Sequence, residues 1–110
     1  MKHFNNPKPM NKTLIEEKLS SGNVEEICNA LVSIAFYESD WKWAQEKFLD
    51  LLDDDNPKIS GISATCLGHI ARIHRKLDKE RVINILRNKI ENSAISGKVQ
   101  DALDDIEIFV

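Results

Sequence analysis

The stretch ISGISATCLGHI, residues 59–70, sets a thiol at Cys66 and an imidazole at His69 three residues apart. On a helix that spacing makes the two side chains neighbours on one face, as a cysteine nucleophile and its general base require. A working thiolate also needs an exposed, electropositive setting, whereas Ala64, Leu67 and Ile70 around it are apolar. His69 and His74 are five apart and diverge on a helix. Neither an HExxH motif nor paired cysteines at zinc-ligand spacing occurs, so no metal site is expected. There is no glycine-rich phosphate loop, and nothing singles out a catalytic pair among the carboxylates. The residues therefore point away from an enzyme and call for no cofactor.

The chain has 110 residues, a single-domain length, with 42% hydrophobic and 30% charged residues. Aromatics make up only 6%, so aliphatic side chains must supply most of the core. A net charge of −3 argues against nucleic acid or an anionic membrane surface, because phosphates reward basic excess. No apolar run nears the roughly 20 residues that span a bilayer. The N-terminal MKHFNNPKPMNK lacks the apolar stretch of a secretory signal, and the two cysteines suit a reducing compartment; a cytoplasmic location is expected.

Any reactive pair must be held by the elements around it, and these read as helices throughout. Residues 1–11, polar and carrying Pro7 and Pro9, are expected to form a flexible arm ahead of a single domain at 12–110. NKTLIEEKL predicts a short helix stopped by SSG. Asn23 predicts an N-cap, with Glu26 completing a capping box. Val24, Ile27, Cys28, Leu31, Ile34 and Ala35 then follow helical spacing. Ser39 or Asp40 caps WKWAQEKFLDLL. In DDDNP, Asp55 or Asn56 can cap and Pro57 suits the first turn of a helix to about Lys76. Further helices are expected from Asp78 to about Ile90 and from about Ala94 to Phe109.

A shift of 36 residues superposes the quoted stretch on later sequence: Ile59-Ser60-Gly61 falls on Ile95-Ser96-Gly97, Cys66-Leu67 on Ala102-Leu103, and Ile70 on Ile106. Shifted the other way, Ala30-Leu31 and Ile34-Ala35 fall on Cys66-Leu67 and Ile70-Ala71. Phe48, Leu49 and Leu52 match Val82, Ile83 and Leu86 at an offset of 34. Two helices per period predict an all-α fold, an α-solenoid of about three helix pairs whose shared seams form the core. Cys66 then occupies a position held elsewhere by Ala30 and Ala102, and its expected role is to be small and buried.

The run LLDDDNPKISGISATCLGHIARI, with an acidic-proline turn before a small-residue helix, resembles HEAT-like repeats. DWKWAQ (40–45), ATCLGHIARIH (64–74) and DALDDIE (101–107) carry a further resemblance to small bacterial HEAT-like proteins over roughly residues 24–110. Many HEAT repeats place a basic residue where this chain has Gly61 or Gly97. The resemblance implies a stand-alone binding protein. Some such proteins resemble immunity proteins of toxin systems, including contact-dependent growth inhibition, in which a cytoplasmic protein neutralises a cognate nuclease toxin. A HEAT-like scaffold or adaptor with a non-toxin protein partner is the alternative.

Residues at one offset in stacked repeats form rows across neighbouring units. Those rows read Asn29–Thr65–Asp101, Ser33–His69–Asp105 and Phe36–Arg72–Ile108, and are expected on an open face. Trp41 and Trp43 lie about 200° apart on a helix. Trp41, beside Glu38 and Asp40, is expected to be the exposed interface anchor and Trp43 the packed one. Asp101, Asp104, Asp105 and Glu107 crowd the C-terminal part of the last helix, where the helix dipole favours cations; attraction of a basic toxin domain would explain them. DDD at 53–55 reads as loop and cap. The basic segment RIHRKLDKER (72–81) reads as cations complementing a helix C-terminus. The expected partner-binding set is Asn29, Ser33, Glu38, Asp40, Trp41, His69, Arg72, Asp101, Asp104 and Asp105, on a protein monomeric when free.

Overall fold

In the computed structural model, which describes residues 8–110, the chain forms six α-helices and, among the described residues, no strand. They are α1 (Lys12–Leu19), α2 (Val24–Tyr37), α3 (Trp41–Leu52), α4 (Pro57–His74), α5 (Lys79–Lys89) and α6 (Ser96–Phe109). Of the arm expected over 1–11, residues 1–7 lie outside the described residues. The Lys8 carbonyl accepts a 2.6 Å hydrogen bond from Ser33 Oγ, and Met10 packs against the core.

The helix starts follow the caps that the sequence offers. Asn11, Asn23, Asp40 and Asn56 each accept a backbone N–H in the first turn, from Leu14, Glu26, Trp43 and Lys58 respectively. Such caps contribute about 0.5–2 kcal/mol each. The capping box expected at α2 is half formed: the Asn23 N–H donates to Ser21 Oγ at 3.1 Å. Helix α4 stops at His74, two residues early, because Arg75 turns into the left-handed region (φ 56°) and its N–H closes on the Ala71 carbonyl.

Helix α4 is the hub. It packs against α2 and α3 on one side of the fold and α6 on the other. Its composition permits this: Ser60, Gly61, Ser63, Ala64, Cys66, Gly68 and Ala71 are all buried and small. Ser63 Oγ donates to the Ile59 carbonyl of its own helix at 3.0 Å, so a buried hydroxyl leaves no unmet demand. The expected seam is present except at Leu103, which is only half-buried. Ala30, Cys66 and Ala102 are buried with Leu31, Leu67, Ile34, Ile70 and Ile106, and the Cys66 thiol lies 3.8 Å from the Leu31 carbonyl as its donor. Contacts between successive even helices fall close to one repeat apart: Cys66 on Leu31, Gly68 on Ala102 and Arg72 on Asp105. Helices α2, α4 and α6 therefore run parallel and in register.

The odd helices are joined by a polar link that sequence reading did not find. Gln45 of α3 is fully buried, and its amide closes a ring on Asp78: Oε1 accepts the Asp78 N–H and Nε2 donates to Asp78 Oδ2, both at 2.8 Å. Asp78 consequently starts α5 without giving its carboxylate to the helix end. Beside it, Arg81 grips Glu46 with two 2.7 Å hydrogen bonds. Those bonds from Arg81, helped by Gln45, hold the Glu46 carboxyl down at about 2. Pairs 33 and 35 residues apart repeat the period of the fold, the one signal in the sequence that could have exposed them.

Two outcomes follow from this packing. A Cβ on Gly68 would stand 2.8 Å from Asp105 Oδ2 and 3.2 Å from the Ala102 Cα. In Gly68→Ala, overpacking of about 1–3 kcal/mol outweighs the roughly 1 kcal/mol helix gain. Thermal melts should show a lower Tm despite the better helix former; an unchanged or raised Tm refutes the close contact. The lowered pKa of Glu46 makes its contribution to stability present above its unfolded value near 4.5 and lost as pH falls towards about 2. The Tm difference between wild type and Glu46→Gln should thus hold steady above that window and close within it.

Candidate functional site

The parallel register of α2, α4 and α6 turns sequence offsets into surface rows. At about 100° per residue, positions 29, 33, 36 and 37 of α2 share one face, open except at Ser33, as do 65, 69, 72 and 73 of α4 and 101, 105, 108 and 109 of α6. The stripe is polar at its N-terminal side, where Asn29, Thr65 and Asp101 are exposed. It becomes apolar at the helix C-terminal ends. Phe36 is 58% exposed, Ile73 61% and Ile108 70%, and Tyr37 is half-exposed beside Phe36. Apart from Leu14, these are the exposed large hydrophobic side chains of the described residues, and all four lie on one edge. Contiguous exposed apolar groups of this kind characterise contact surfaces. The row Tyr37–Ile73–Phe109 escaped the sequence reading, although it obeys the same 36-residue offset.

A chain of side chains fixes this edge. The His69 ring stacks on Phe36 (5.2 Å between centroids, 21° between planes). His69 Nδ1 lies 3.4 Å from Arg72 Nη2, and Arg72 pairs with Asp105 of α6. Arg75 lies over the Phe109 ring at 5.4 Å. Burial, then the Arg72 charge and His74, hold the His69 pKa below its ordinary value, against a hydrogen bond to the Ala35 backbone. A neutral ring suits its neighbour: Nδ1 accepts from the guanidinium. The result ties three helices together under an exposed apolar row.

Several expected contact residues are placed otherwise. Ser33 is 1% exposed, covered where its hydroxyl donates to the Lys8 carbonyl. The expectation of an open Ser33 is therefore corrected. Glu38 and Asp40 serve the α2–α3 turn: Glu38 Oε2 accepts the Asp40 N–H at 2.9 Å, and Lys12 of α1 lies 3.9 and 3.5 Å from the two carboxylates. The Trp43 N–H, more than any other group, holds the Asp40 carboxyl below the usual range. The division between an exposed Trp41 and a packed Trp43 does not hold. Both indoles are half-buried against the core, Trp43 beneath Lys12 at 4.7 Å and Lys47 at 5.4 Å, and Trp41 beside Lys42 at 5.6 Å. Amphipathic lysine stems cover what the core leaves open. Asp105 is engaged by Arg72, while Asp101 and Asp104 remain exposed.

Cys66 is the small, buried seam residue that its place in the repeat predicts. Both cysteines are buried, and desolvation pushes the Cys66 thiol up to about 12 and raises that of Cys28 as well. His69 turns to Phe36 and Arg72 instead. Among the described residues no group of three or more His, Cys, Asp or Glu side chains is placed to hold a metal ion, and no helix is long and apolar enough to cross a membrane. An open groove of about 290 Å³ lies between α5 and α6, with Ile83, Ile90 and Leu103 among its walls.

No family model matches the chain, and no curated protein matches it. Among solved structures, it matches a chain of the crystal structure of a CDI complex from Cupriavidus taiwanensis LMG 19424. The TM-score is 0.89 with 32% sequence identity, over 99% of this chain and 98% of that one. The likeness runs the full length of both chains and includes all six helices.

The buried thiols set a chemical expectation. Native protein at pH 8 should react with Ellman's reagent far more slowly than free thiol, and release both equivalents only on unfolding in guanidinium. Rapid labelling of Cys66 in the folded state would contradict its position in the seam.

Proposed function

This chain belongs to the family of the protein it matches in that CDI complex, and from this membership we propose that it is an immunity protein of contact-dependent growth inhibition. In this reading it is a cytoplasmic HEAT-like solenoid of three helix pairs, monomeric when free. It neutralises a cognate nuclease toxin by covering it. The full-length match to a chain of such a complex carries the proposal. Blocking by contact requires no catalytic residue and no cofactor; it requires a rigid, complementary surface. The outward stripe of α2, α4 and α6 supplies one, with aromatic and aliphatic groups at one edge and Asn29, Asp101 and the His69–Arg72–Asp105 chain beside them.

Electrostatics supports a basic partner. Asp101 and Asp104 are exposed on α6 and in no ion pair among the described residues. Unneutralised carboxylates on the surface accelerate encounter with a basic domain and disfavour acidic competitors. The apolar edge provides the contact area that holds the complex once formed. Glu38 and Asp40 lie in the α2–α3 turn and Trp41 opens α3, where a large partner resting on the stripe would reach them.

The test is direct. Co-expression with a cognate CDI toxin domain should restore growth, and the two proteins should elute as one 1:1 complex in gel filtration. Ile73→Asp should weaken the complex by at least 2 kcal/mol, about 30-fold, as expected of a central apolar contact, with the melting temperature kept. Asp101→Arg should chiefly slow association, an effect erased by salt. Failure of the wild-type chain either to bind or to protect refutes the proposal.

A further inference from the structure

We infer that the groove between α5 and α6 is a docking site for a basic segment of the partner protein, which inserts an apolar side chain between the two helices. The inference rests on the protein-binding role proposed above and places a second contact away from the apolar edge. Its floor is an interrupted seam. Leu31 and Leu67 are fully buried in the first two pairs, but the equivalent Leu103 is only half-buried. Ile83, equivalent to the buried Leu49, is likewise half-buried. Together with Ile90, these side chains leave a space of about 290 Å³, enough to seat an aliphatic or aromatic anchor.

Charge identifies what comes with the anchor. The α6 wall carries Asp104 and Glu107, both exposed and neither in an ion pair among the described residues. Gln100 Nε2 donates to Asp104 Oδ1 at 3.0 Å and fixes that carboxylate on the rim without neutralising it. Glu107 stands in the last turn of α6, where the helix dipole adds negative potential. The α5 wall carries Arg87, which repels a cation on its own side. The occupant is thus polarised: an apolar anchor in the groove with a lysine or arginine facing α6.

The experiment measures affinity for the cognate CDI toxin domain by calorimetry, with wild type, Leu103→Ala, Glu107→Lys and Arg87→Gln, each checked by thermal melting. Leu103→Ala and Glu107→Lys should each weaken binding about tenfold, while Arg87→Gln, which removes a repulsive charge, should leave it unchanged or tighten it about threefold. Since Glu107 and Arg87 are exposed, their variants keep the test independent of any folding defect in Leu103→Ala. Wild-type affinity in Glu107→Lys and Leu103→Ala, or tighter binding by Glu107→Lys, overturns the groove assignment while the immunity reading stands. Absence of wild-type binding overturns the immunity reading itself and the groove's occupant with it. Self-association lost in the same variants would make the occupant a second copy and overturn the inference.

Discussion

Helix α4 must accept a parallel neighbour on each side, and the fold depends on its being thin enough to do so. A helix of ordinary leucines on every inward position would hold its neighbours near 10 Å away. Here glycine, alanine, serine and cysteine occupy the sites of closest approach, and large residues stand one step aside. Leu67 and Ile70 fill the layers while Gly68 lets the Ala102 backbone come within contact distance. Such interlocking explains why a thiol beside an imidazole performs no chemistry here. Cys66 is buried in the seam, and desolvation keeps it protonated.

Close packing of this kind fixes where the remaining polar groups meet. The Gln45–Asp78 ring and the Glu46–Arg81 pair hold α3 to α5, and the Arg72–Asp105 pair holds α4 to α6. Exposed ion pairs alone contribute little. Gln45 differs because it is fully buried and uses both ends of its amide, so replacing Gln45 by an apolar residue would leave the Asp78 N–H and carboxylate without this partner. These links act as register pins, holding each layer at the offset at which the outward rows line up.

Surface and interior therefore share one cause. Parallel, in-register even helices bring Phe36, Ile73 and Ile108 to the same edge without any of them being adjacent in sequence. Between α5 and α6 the core opens into a groove, and the half-buried Leu103 lies in its lining. The apolar walls of that groove are rimmed on the α6 side by the carboxylates of Asp104 and Glu107.

The sequence by itself determined the helices, most of their caps, the seam positions and the 36-residue correspondence. Those depend on local hydrogen bonding and on periodic burial, which a linear string records directly. It also determined that Cys66 is a scaffold residue, because Ala30 and Ala102 stand in its place. Only tertiary structure decided which polar residues are free. Ser33 looks like His69 and Asp105 in the row pattern, yet Lys8, 25 residues away, covers it. Gln45 looks like a solvent-facing residue, yet α5 closes over it. Trp41 and Trp43 point about 200° apart, yet both reach the core's edge because lysines from α1 and α3 shield them. Exposure and pairing depend on what arrives from elsewhere in the chain, and that information lies in the packing between layers.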